Sequence, residues 1–172
     1  MTTPTSGAIS LNQIHIEAGG SSGAQVSLND LDVRYLANFS SGATMGFNNF
    51  YNRTRYTVTS GSGTSGSTQY TGFKSSSPAI GSINTTSLTW STASVTGMYY
   101  VLSGSQAYEV QLLLGGSGSG TNSGFTTYRV AGGTYARTSA SFSGSSGFFS
   151  VWRWSSGSNP FTNTTVRDCY FY

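Results

Sequence analysis

Charge is the scarcest commodity in this chain: only 8% of its 172 residues are Asp, Glu, Lys or Arg, against about 25% in an ordinary soluble domain. The eight basic side chains are scattered, so no cluster exists to track a phosphate backbone, and nucleic-acid binding is excluded. One cysteine, Cys169, rules out an internal disulfide and a cysteine-rich zinc site. One histidine, His15, leaves few partners for metal or acid–base chemistry. No apolar run approaches the roughly 20 residues of a membrane helix. The segment Met1-Thr2-Thr3-Pro4-Thr5 carries neither the basic nor the apolar stretch of a signal peptide.

What is abundant is small and hydroxylated. Serine (32), threonine (23) and glycine (23) make up 45% of the chain. Such a load is compatible with disorder, but disorder also needs few aromatics and a high net charge. Here aromatics reach 14% and the net charge is only +3. Each ring removes about 150–250 Å² from water when buried, so the chain has the material for a core.

Charge also divides the chain. Residues 1–52 hold Glu17, Asp30, Asp32 and Arg34; residues 53–172 hold seven basic residues with only Glu109 and Asp168. Two domains follow, 1–52 and 53–172.

The first contains a repeat. Ile9-Ser10-Leu11-Asn12-Gln13-Ile14 aligns with Val26-Ser27-Leu28-Asn29-Asp30-Leu31, and more loosely with Met45-Gly46-Phe47-Asn48-Asn49-Phe50. Each copy reads apolar, small, apolar, Asn, polar, apolar, with Gly/Ser turns at Gly19–Gly23 and Ser40–Gly42 between them. The alternation suits a short extended piece, and the Asn is expected to cap a helical turn. About 50 residues make a poor independent core, so this module is expected to pack on a partner or on the second domain. The expected docking positions are Ile9, Leu11, Asn12, Ile14, Val26, Leu28, Asn29, Leu31, Met45, Phe47, Asn48 and Phe50.

From Arg55 onward the pattern is strands broken by Gly/Ser turns. Strands are expected at Tyr56–Val58, Met98–Leu102, Tyr108–Leu114, Phe125–Val130, Tyr135–Phe142, Phe148–Trp154 and Val166–Tyr172. Tyr108, Val110, Leu112 and Leu114 share one face, with Glu109 and Gln111 pointing away. Residues 115–124 read as a flexible surface loop. The fold class is therefore mainly β: a small N-terminal module with short helical turns, then an antiparallel, jelly-roll-like β-sandwich.

Catalytic patterns fail on context. Gly61-Ser62-Gly63-Thr64-Ser65-Gly66 spells a dinucleotide fingerprint, but no helical period follows to receive a pyrophosphate. Gly19-Gly20-Ser21-Ser22-Gly23 spells a nucleophile elbow without the strand and helix it needs. Glu109 and Asp168 are isolated acids, short of the paired carboxylates of a glycosidase. No enzyme, cofactor or metal is expected. Trp90, Trp152 and Trp154 supply rings that either bury in a core or stack on sugars.

Over residues 7–52, the blocks Gly7–Asn12, Glu17–Ser22, Val26–Asp30, Val33-Arg34 and Ser41-Gly42-Ala43 to Phe50-Tyr51 resemble a module of structural virion proteins of tailed bacteriophages, especially phages of cyanobacteria and other aquatic bacteria. The usual pattern ends Phe-Tyr-Gly; here Asn52 stands in place of the Gly. Tyr70-Thr71-Gly72-Phe73 and Gly81-Ser82-Ile83 resemble the β-rich part that follows. The resemblance implies a non-enzymatic virion component in a tail fibre, fibre-attachment or baseplate role, with capsid decoration as the alternative. It implies partners among other virion proteins and copies of the chain itself, a trimer being favoured for fibres. A carbohydrate-binding module that recognises a host surface glycan is the reading of a different class.

Overall fold

The computed structural model describes residues 3–39, 42–88, 91–162 and 165–172. Trp90 and the turn residues Ser40 and Ser41 lie outside the described residues. The chain forms two compact units: Met1–Arg55 with Tyr170–Tyr172, and Tyr56–Cys169. The predicted boundary at residue 52 thus shifts to 55, and three C-terminal residues join the first unit.

The first unit contains helix α1 (Leu11–Ala18), helix α2 (Leu31–Ala37) and a 3-10 turn (Phe47–Phe50). Its core is Ile14, Ala18, Val33, Leu36, Ala37, Phe50 and Tyr170, with Ile9, Val26, Leu28, Tyr35, Phe39, Met45 and Tyr172 packed against it. The C-terminal tyrosines supply apolar area that a unit of this size lacks. Thr3 closes the unit from its other end: its backbone N–H donates to Arg53 O at 3.0 Å, and Arg53 N–H donates to Thr3 Oγ1 at 2.7 Å.

Among the described residues, the strands of the second unit are β1 (Tyr56–Thr59), β2 (Gly61–Ser65), β3 (Thr68–Lys74), β4 (Ser82–Ile83), β5 (Ser94–Val101), β6 (Glu109–Gly115), β7 (Thr127–Val130), β8 (Gly133–Ala136), β9 (Ser141–Ser145), β10 (Phe149–Ser155) and β11 (Val166–Phe171), the last two residues of β11 being counted with the first unit. They form a five-stranded sheet of order β4-β1-β11-β7-β8 and a six-stranded sheet of order β2-β3-β5-β6-β10-β9. Every described register, from β1–β11 to β7–β8, is antiparallel. The mainly-β, two-sheet class is as predicted. Within the larger sheet, β2-β3, β5-β6 and β9-β10 are sequential neighbours, whereas β3-β5 and β6-β10 pair strands that are not consecutive in the chain.

The sheets meet through aromatic rings. Tyr128 on β7 lies 5.9 Å from Trp154 on β10, and Phe125 lies 5.2 Å from Trp152. Trp152 and Trp154 are 0% and 4% exposed, so the sequence's most aromatic strand faces the core. Their indole N–H groups are satisfied, Trp152 by Asn122 Oδ1 and Trp154 by Ala136 O, both at 2.7 Å.

Three expectations are corrected. The segment Tyr135–Phe142 is not one strand: β8 sits in the smaller sheet and β9 in the larger, with a 3-10 turn at Arg137–Ser139 between them. The turn is held because the Arg137 guanidinium donates to Phe125 O and to Asn122. The loop at 115–124 is tied down rather than free, since Gly120 N–H donates to Ser150 Oγ at 2.6 Å and Ser119 O accepts from Gly147 N–H at 3.3 Å. A side chain at Gly120 would meet Ser146 backbone at 2.5 Å, so this approach requires glycine. Tyr108 does not belong to the buried face of β6; it precedes the strand with φ +67 and is 65% exposed. Gln111 points away from that face, as predicted, yet is buried. Its amide accepts from Tyr99 OH at 3.0 Å and donates to Glu109 Oε2 at 2.8 Å, which removes the penalty for leaving water.

Candidate docking surface and aromatic cleft

The three repeat copies share one hydrogen bond. The backbone N–H of the second residue donates to the side-chain oxygen of the fifth: Ser10 to Gln13 Oε1 at 2.8 Å, Ser27 to Asp30 Oδ2 at 2.9 Å, and Gly46 to Asn49 Oδ1 at 2.8 Å. In the first copy Gln13 N–H also donates back to Ser10 Oγ at 3.2 Å, a full capping box.

This overturns the expectation that Asn12, Asn29 and Asn48 are the caps. α1 already begins at Leu11, so Asn12 sits inside its first turn and instead accepts from Gly23 N–H at 2.9 Å. Asn29 accepts from Arg34 Nε at 2.9 Å, and the buried Arg34 also donates to Ala43 O at 3.1 Å. Asn48 is exposed within the 3-10 turn. The side-chain acceptors of the shared bond are Gln13, Asp30 and Asn49, which the pattern shows only as a polar fifth position, and the side chain that caps α1 is Ser10. The available signal was a small residue followed three positions later by a side-chain acceptor.

The apolar repeat positions separate by depth. Ile14 and Phe50 are fully buried; Ile9, Leu11, Val26, Leu28 and Met45 are half-buried. Leu31 and Phe47 remain 60% and 42% exposed. Residues that hold the unit's own core are therefore unavailable to a partner, and Leu31 and Phe47 are the apolar positions left outside.

Glu17 lies at the C-terminal end of α1. Burial raises its carboxyl above the ordinary value, opposed by the Arg55 backbone N–H that donates to Glu17 Oε1 at 2.8 Å. The Gly19–Gly23 elbow pattern begins at the α1 C-cap, where Gly19 has φ +105. Gly61–Gly66 runs through β2 into the turn before β3.

In the second unit, Glu109 lies on β6 of the larger sheet and Asp168 on β11 of the smaller, so the two acids belong to different sheets. Asp168 Oδ1 accepts from Thr57 Oγ1 at 3.3 Å. Among the described residues, no group of three or more His, Cys, Asp or Glu side chains is placed to hold a metal ion. No described helix is long and apolar enough to cross a membrane. Cys169 is fully buried, with Tyr128 OH donating to its sulfur at 3.6 Å, and burial pushes its thiol up to about 12.

A cleft of about 370 Å³ opens between Thr134, Tyr135, Ser139, Trp154 and Ser155. Of these residues the sequence singles out Trp154, as a ring for a core or for stacking on sugars; the other four it marks only as strand or turn. Exposed aromatic rings elsewhere among the unit's described residues include Tyr108, before β6, and Phe148 and Phe149 at the β9–β10 turn.

No family model, curated protein or solved structure matches this chain.

Proposed function

We propose that the chain is a non-enzymatic structural protein of a tailed-bacteriophage virion, a tail fibre or fibre-attachment and baseplate-associated subunit. The first unit is the particle-docking element, and the β-unit projects or assembles. The observation that carries this reading is the threefold repeat, in which one hydrogen bond recurs at Ser10–Gln13, Ser27–Asp30 and Gly46–Asn49. A unit that spends its repeats on small local frames and leaves Leu31 and Phe47 exposed is suited to a surface on another virion protein.

Copies of the chain also associate, with a trimer the favoured state. The β9 edge of the larger sheet, Ser141-Phe142-Ser143-Gly144-Ser145, carries no charge and no proline. Those are two of the devices by which proteins discourage edge-to-edge pairing.

The test is incorporation. A phage whose copy of this chain lacks residues 1–55 is expected to yield particles without the β-unit, although that unit still folds. Particles that carry the truncated protein at the normal level overturn the docking role.

A further inference from the structure

The cleft at Tyr135 arises where the chain crosses between sheets. β8 ends at Ala136, the 3-10 turn Arg137–Ser139 follows, and β9 begins only at Ser141, opposite Arg153 of β10. Trp154 and Ser155 extend past that point, so they have β6 on one side and no β9 residue on the other. The space there is the cleft.

Its floor and wall are fixed. Trp154 donates its indole N–H to Ala136 O at 2.7 Å and lies nearly buried at the floor. The Tyr135 ring stands 5.7 Å from Trp154 and 6.0 Å from Tyr128, and its half-buried position leaves part of it toward solvent. Around the rings are the exposed hydroxyl residues Thr134, Ser139 and Ser155. Ser139 Oγ donates to Ala136 O at 2.9 Å, which leaves its lone pairs to accept. None of the five lining residues is charged. The nearest basic residue in sequence, Arg137, is engaged with Phe125 O and Asn122.

These features select a ligand class. An ion finds no countercharge here, and a purely apolar molecule would strip water from three hydroxyls without replacing their hydrogen bonds. A sugar ring meets both demands, with an apolar C–H face for the tyrosine ring and hydroxyls for the rim. The volume sits at the small end of the roughly 300–1,000 Å³ typical of ligand clefts, which suits one or two rings. We propose that this cleft binds a neutral saccharide, with Tyr135 as the stacking platform and Thr134, Ser139 and Ser155 as its hydrogen-bonding rim. The assignment goes beyond the docking role and does not rest on it; particle incorporation and sugar binding are read separately.

Saturation-transfer NMR on the full chain tests it, with the methyl glycosides of glucose, galactose, mannose, N-acetylglucosamine and rhamnose as probes. At least one is expected to give a signal whose affinity falls about tenfold or more, or some 1.4 kcal/mol, in Ser139→Trp or Thr134→Trp. Both residues are exposed, so the variants fill the cleft without entering the core, and unchanged thermal melting verifies this. Absence of signal from all five glycosides, or a signal that both variants leave unchanged, overturns the assignment.

Discussion

Gly46 donates its backbone N–H to the Asn49 side chain at 2.8 Å, in a position where Ser10 and Ser27 make the same bond to Gln13 and Asp30. The three acceptors differ chemically: an amide of one length, a carboxylate and a shorter amide. What recurs is the distance of three residues and the presence of a side-chain oxygen. The bond closes the start of each turn, as a capping box does.

Ser10 is the best-developed of these caps, because its hydroxyl also accepts from Gln13 N–H. Ser10→Ala should lower the stability of the first unit by about 1 kcal/mol. Urea unfolding followed by helical circular dichroism measures it. Asn12→Ala leaves that cap intact, and a larger loss from Asn12 than from Ser10 would contradict the assignment.

Tyr170 is 4% exposed in the core of the first unit. Tyr170→Ala should cost about 3 kcal/mol or more, enough to open a small unit locally. Hydrogen exchange at Ile14 and Leu36 should accelerate, while amides of β6 keep their protection. Equal acceleration in both places would show that the units do not open independently.

Trp152 is fully buried among Phe125 and Phe142, at 5.2 Å from each. Trp152→Ala should cost about 3–5 kcal/mol. Asn122→Ala, which takes away the indole's acceptor at an exposed position, should cost about 1 kcal/mol. Thermal melting ranks the two, and a Trp152→Ala protein that melts as the parent does would place the ring outside the core.

Alkali should weaken the β-unit in a defined window. Burial raises the Cys169 thiol from 9.0 to about 12, against the Tyr128 hydrogen bond that lowers it. Burial, then the neighbouring Tyr70, raises the Tyr99 phenol from 10.0 to about 12. Both folded values exceed the unfolded ones, so their contribution is complete below pH 9 and is lost as the pH rises toward 12. The urea midpoint should therefore fall through this range, and a flat midpoint counts against the burial of both groups. At pH 8 the native thiol should resist a disulfide reagent that labels it at once in urea.

The residue pattern by itself determined the class of this protein. Alternation in Val110, Leu112 and Leu114 and in Trp152 and Trp154 marked the strands and their buried face, because side chains on a strand change sides at every residue. The three repeat copies were legible for the same kind of reason: a cap acts over three residues, well within local sequence. Tertiary structure decided whatever depends on distant partners. Tyr135–Phe142 reads as one strand and is divided because Phe125 and Asn122 hold Arg137 between the sheets. Tyr170 reads as the end of a strand and completes a core whose other buried residues, from Ile14 to Phe50, lie more than a hundred positions earlier. Pairing across such separations follows from which surfaces bury together, and no local periodicity encodes it.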